Sequence, residues 1–345
     1  MIWNGFDFDA EFLDQEDIIA KLHLLIQLER SDPYSNRKVA LKPLVERIQT
    51  SLSYVPKEHR QYVLALFANT LYFPNSFSHS VLQHLMNKFT RDNNIKPNEI
   101  GSKCLILEQD PTGIINEFLR HNAIPGRLDK CSFQRTQQVK PFVEAARSNF
   151  ASAKTILGIE DVTPFLEREY WIVLADNSLS GTSLCSDFER LIELAEEYDK
   201  KPKFVLLIRT LATTALKCIK DEFISKYGDQ IILEYGLLLD DRMSISERTR
   251  ETCRLFNSPD TFDGVIKACK WLVSTNVYDN DPELKDHKKN SQDDMVFGFK
   301  GCGLTFVSSE NCPSDSLPLL WYENSDIYIP PFPRVLSRVG GERNV

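Results

Sequence analysis

The chain has 345 residues, 42% hydrophobic and 26% charged, and its 41 basic and 49 acidic side chains leave a net charge of -8. This is globular composition, which excludes wholesale disorder and fibrous repeats, and the length suggests about two domains. The acidic balance argues against nucleic-acid binding through the overall field, and no apolar run approaches the ~20 residues that span a bilayer.

Residues 1–98 read as an α-helical region. Ile18, Ile19, Leu22, Leu25 and Ile26 form one apolar stripe over 15–30, and Leu41, Leu44, Val45 and Ile48 repeat the pattern over 39–50. A third helix is predicted from His59 to Tyr72, stopped by Pro74, and a fourth from Ser78 to Phe89. The turn-forming stretch 91–101 marks a boundary, so the second domain is expected over 99–345.

From there, short apolar runs alternate with helical stretches. Strands are predicted at Cys104–Leu107, Tyr170–Leu174, Phe204–Ile208 and Ile231–Leu239, with helices at 114–121, 139–152, 184–198 and 212–227. Continuous apolar strands are buried on both faces, and their alternation with helices predicts an α/β fold with a parallel-rich sheet flanked by helices. Two further helices are expected within 246–274, a solvated loop at 280–294 and a last strand at 303–308. The N-terminal segment has neither the basic nor the apolar stretch of a secretory signal. The eight cysteines lack Cys-x-x-Cys pairs and zinc-type spacing. Both observations point to reduced thiols in a cytoplasmic protein.

The segment with most chemistry is 171–183. An apolar strand runs into Asp176, then Asn177, Ser178, Leu179, Ser180, Gly181, Thr182 and Ser183, and a helix follows. Such a loop can turn backbone amides and hydroxyls toward one anion, aided by the positive end of the helix. Gly181 would let the backbone approach a phosphate, and Asp176 could accept from ribose hydroxyls or hold a metal ion. The same residues also suit a helix N-terminus with Asp176 as its cap, and the pattern alone leaves both open. There is no Walker-type P-loop, no dinucleotide fingerprint and no His-Glu-x-x-His motif, and the six histidines are scattered.

The stretch 171–183 resembles the phosphoribosyl-pyrophosphate (PRPP) loop of type I phosphoribosyltransferases, where an apolar strand leads into two acidic residues and then a small-residue turn. Asp176 falls on the second acidic position and Ser180-Gly-Thr-Ser183 on the 5′-phosphate turn, while Ala175 stands at the first acidic position, a departure from the pattern. The resemblance implies that Asp176 is catalytic and touches ribose or Mg2+, and that Asn177, Ser178 and Ser180–Ser183 bind substrate. It places Asp110, Thr112 and Gly113 on the pyrophosphate, Arg127, Lys130 and Arg135 in a closing loop, and Arg209 at the base or acceptor edge. The tail, Gly298-Phe-Lys-Gly-Cys-Gly-Leu-Thr-Phe with Leu317-Pro-Leu-Leu-Trp321 and Pro331-Phe-Pro-Arg334, is similar to phosphoribosyltransferase-like proteins of bacterial conflict systems, some beside retrons. That similarity implies an anti-phage effector or toxin acting on PRPP or a nucleotide, or a sensor or scaffold held by a protein or ribonucleoprotein partner from the same operon. Trp321 and Tyr322 could stack on a base, although core packing is the simpler role.

Overall fold

The computed structural model describes residues 15–32, 42–109, 139–147, 162–275, 295–309, 312–323 and 326–333. The chain divides into two compact units, Met1–Ser76 with Asp241–Val345, and Phe77–Asp240. The boundary expected near residue 98 therefore falls inside the second unit, because the helix before it packs on the sheet.

In the first unit, α1 (Gln15–Ser31), α2 (Leu44–Tyr54) and α3 (Lys57–Ala68) precede the short strand β1 (Leu71–Phe73). The helix predicted from 39 starts only after Pro43, which serves as its N-cap. Leu71 and Tyr72, read as the end of a helix, are instead a strand, pairing in parallel with Phe306 and Val307. A three-residue strand whose partner lies far along the chain leaves no local period to read.

The second unit opens with α4 (Asn75–Asp92) and contains β2 (Cys104–Glu108), α5 (Val139–Arg147), β3 (Tyr170–Ser178), α6 (Thr182–Glu197), β4 (Lys203–Ala212), α7 (Thr213–Ile219) and β5 (Ile231–Leu239). The four strands form one parallel sheet in the order β2-β3-β4-β5. Successive side chains alternate between its two faces. Trp171, Val173, Leu206 and Ile208 join the apolar residues of α5, α6 and α7, including Phe142 and Phe188. Tyr170, Ile172, Leu174 and Val205 join Leu82, Leu85, Met86 and Phe89 of α4, where Phe89 meets Tyr170 edge-on at 5.3 Å. Each such large side chain contributes about 1.5–3 kcal/mol on burial. The Lys88–Glu234 ion pair fastens α4 to β5, and Gly236 leaves no room for a Cβ against Val81 of α4.

Chain order then returns to the first unit. Of the two helices expected in 246–274, α8 (Pro259–Ser274) is regular, capped by the Ser258 side chain accepting from the Asp260 amide, while 247–249 is a 3-10 turn. β6 (Phe306–Ser308) completes the small parallel pair, and a helical turn spans Pro318–Trp321. Trp321 and Tyr322 are buried in this unit's core, and the Trp321 indole donates to the Ser316 carbonyl at 2.8 Å.

Candidate functional site

The carboxyl ends of the parallel strands carry the polar residues. β3 and β4 continue beyond their apolar runs because the ladder holds, with Asn177 opposite Thr210 and Ser178 opposite Leu211. The strands thus extend past the predicted ends at Leu174 and Ile208, and Asp176–Ser178 and Arg209–Ala212 lie within the sheet.

Alternation sorts these side chains. Leu174, Asp176 and Ser178 share the face covered by α4. Glu108 is opposite Leu174 in the register and shares that face too. Arg209, between Ile208 and Thr210, points the same way and makes an ion pair with Asp176; the Arg209 side chain is 2% exposed and that of Asp176 9%. A pair this deep is costly to desolvate, and removing one partner leaves a charge stranded. Asp176 therefore does not cap the helix that follows.

Gln109, Asn177 and Thr210 alternate toward the opposite face. The buried side-chain atoms Gln109 Oε1, Asn177 Oδ1, Ser178 Oγ and Thr210 Oγ1 have no hydrogen-bond partner among the described residues. A buried acceptor or hydroxyl left unpaired costs about 1–3 kcal/mol, so a cluster of them at one sheet edge calls for a ligand or ordered water. Trp171 Nε1 and Arg168 Nε are also without partners, but they lie at the opposite end of the sheet.

After Ser178 the chain turns through Leu179, Ser180 and Gly181 into α6. Gly181 is the N-cap residue, left-handed at φ 82°, and no side chain caps the helix. The first amides of α6 thus keep their hydrogen-bonding capacity and the positive end of the helix dipole. A Cβ on Gly181 would lie 3.0 Å from the Ala215 Cα of α7. Close approach of α7, together with the positive φ, is what this position demands of glycine. Leu179 and Gly181 are buried, Ser180 is half-buried, and Thr182 and Ser183 are exposed.

The fold brings together Asp176, Asn177, Ser178 and Arg209 at the strand ends, with Ser180–Ser183 on the adjoining turn. Asp110, Thr112, Gly113, Arg127, Lys130 and Arg135 lie outside the described residues. Sequence reasoning did not single out Glu108, Gln109 and Thr210. Glu108 is fully buried, and its only sequence signal is a polar residue directly after an apolar strand. The Arg209 guanidinium engages the Asp176 carboxylate, and with Ala175 at the neighbouring position the other carboxylate on that face is Glu108 of β2. Among the described residues no helix is long and apolar enough to cross a membrane.

No curated protein and no solved structure matches the chain. The PRTase-CE family model matches residues 52–334, a span that takes in the whole parallel sheet and its polar strand ends as well as α3 and α4. Matched over well more than half its length, the chain belongs to the PRTase-CE family and is a phosphoribosyltransferase-like protein.

Proposed function

We propose that this protein binds PRPP or a nucleotide at the carboxyl ends of β2, β3 and β4, and that it senses this ligand as the effector of a bacterial anti-phage system. The observation that carries the reading is the set of buried, unpartnered polar atoms at the strand ends, on Gln109, Asn177 and Thr210 of the face that α6 covers and on Ser178 of the other, together with the uncapped start of α6. Amides at a helix N-terminus suit a phosphate, and hydroxyl and amide side chains suit ribose oxygens. Arg209 holds Asp176 in place at the strand ends. The defence role, with a protein or ribonucleoprotein partner in the cytoplasm, rests on the likeness of the C-terminal segment to conflict-system proteins.

Binding without transfer is favoured by Ala175 and by the engagement of Asp176 with Arg209. Transfer of the phosphoribosyl group is a second reading, favoured by Glu108, which brings another buried carboxylate to the face that Asp176 occupies. The test is calorimetric titration of PRPP and 5′-nucleotides with and without magnesium, followed by an assay for pyrophosphate release. The sensor reading expects binding with no pyrophosphate released. Release that Asp176→Asn abolishes selects transfer instead, and a folded protein that binds no phosphorylated ribose compound overturns both.

A further inference from the structure

Behind the Gly181 turn, α6 and α7 bring two cysteines together. Cys185 in the first turns of α6 and Cys218 in α7 have their Sγ atoms 2.8 Å apart. Glu222 follows Cys218 by four residues, in a π-helical turn at Lys220–Ile224. One ligand atom from each of Cys185, Cys218 and Glu222 lies within 4.8 Å of the others. Turns of this widened kind are rare and concentrate at functional sites. Glu189 also follows Cys185 by four residues, which puts a further carboxylate on the same face of α6.

We propose that Cys185, Cys218 and Glu222 bind a zinc-class divalent cation, a site independent of the phosphoribosyl reading. Two thiolates and a carboxylate select a borderline-soft metal over magnesium or calcium, which take oxygen ligands. Three protein ligands leave the fourth tetrahedral position to water. Zinc with Zn–S bonds of about 2.3 Å holds its sulfurs about 3.8 Å apart, so a small side-chain rotation opens the present contact to the bound geometry. Cys185 is buried, Cys218 half-buried and Glu222 exposed, which gives the ion a route in from solvent. The ion would clamp α6 to α7 directly behind the turn: the Cys185 amide donates to the Gly181 carbonyl at 2.8 Å, and the Cys218 Cβ lies 3.4 Å from where a Cβ on Gly181 would be. Binding displaces the thiol protons, so affinity falls as pH drops.

The full chain, stripped with a chelator in a phosphine reductant, is titrated with Zn2+ against a chromophoric zinc indicator, and separately with Co2+. The expected result is one equivalent of Zn2+ taken from the indicator and a cobalt spectrum with thiolate-to-metal charge transfer. Glu222→Gln weakens binding about 10- to 100-fold, and the double variant Cys185→Ser/Cys218→Ser loses both signals. A wild-type cobalt spectrum without a thiolate band overturns the proposal. So does binding unchanged in the folded double variant, or a Cys185–Cys218 disulfide that persists in the reductant with no metal taken up. The wild-type spectrum reads sulfur ligation without any substitution, so a variant that fails to fold does not decide the matter.

Discussion

The two units treat their buried polar groups differently. In the helical first unit they are matched. Arg47 is paired with Glu29 at 2.9 Å, the Tyr72 hydroxyl donates to Asp32 at 3.2 Å, and the Tyr328 hydroxyl donates to the Leu319 carbonyl at 2.5 Å. Burial, reinforced by the Asp32 charge, pushes the Tyr72 phenol far above its ordinary range, so it stays protonated. Ser309 Oγ is the exception among that unit's described residues. In the sheet unit, polar atoms are left over at the carboxyl edge of β2, β3 and β4. A unit built only for stability would place apolar groups or partners there. The difference assigns stability to one set of buried polar groups and ligand binding to the other.

The largest effect expected is from breaking an ion pair in each unit. Arg47→Met strands Glu29, and Arg209→Met strands Asp176. Each is expected to lose about 3–5 kcal/mol in urea unfolding, with only Arg209→Met also losing PRPP affinity. Equal loss of affinity in both would erase the contrast. Gly181→Ala comes next, at about 1–3 kcal/mol, because alanine disfavours φ 82° and its Cβ would press on Ala215. Its affinity for PRPP falls as the turn shifts, which calorimetry reads. Tyr328→Phe removes a matched hydrogen bond and is expected to cost about 1 kcal/mol while PRPP binding stays as in wild type.

The smallest effect near neutrality, growing with pH, comes from thiols in both units. Burial pushes Cys104 of β2 and Cys269 of α8 up to about 12. The folded state therefore holds these protons more tightly than the unfolded chain. Their contribution to stability is complete below the ordinary thiol range and is lost as pH rises from there toward about 12. Thermal melts from about pH 8 to about pH 10 should fall steadily, and less so in Cys269→Ala than in wild type.

The sheet was legible where the residues speak locally. Tyr170–Leu174 and Phe204–Ile208 are apolar without interruption and buried throughout, and strands covered on both faces look like that. Leu71–Phe73 was not legible, because its partner at Phe306–Ser308 comes more than two hundred residues later. At the site, Asp176 and Arg209 could each be picked out, but not their pairing, since only the parallel register of β3 and β4 sets them side by side. Glu108 escaped because a carboxylate at the end of an apolar run normally marks the return to solvent. Its complete burial is a product of the tertiary fold.

The most direct test is to replace the fully buried hydroxyl of Thr210 with a methyl group of the same shape and measure stability and affinity together. Thr210→Val should melt at or above the wild-type temperature, because a lone polar atom leaves the interior, while PRPP titrated calorimetrically binds more weakly. A variant that melts lower but binds PRPP as wild type does would show that Thr210 serves the fold, and would contradict the assignment of the strand ends to a ligand.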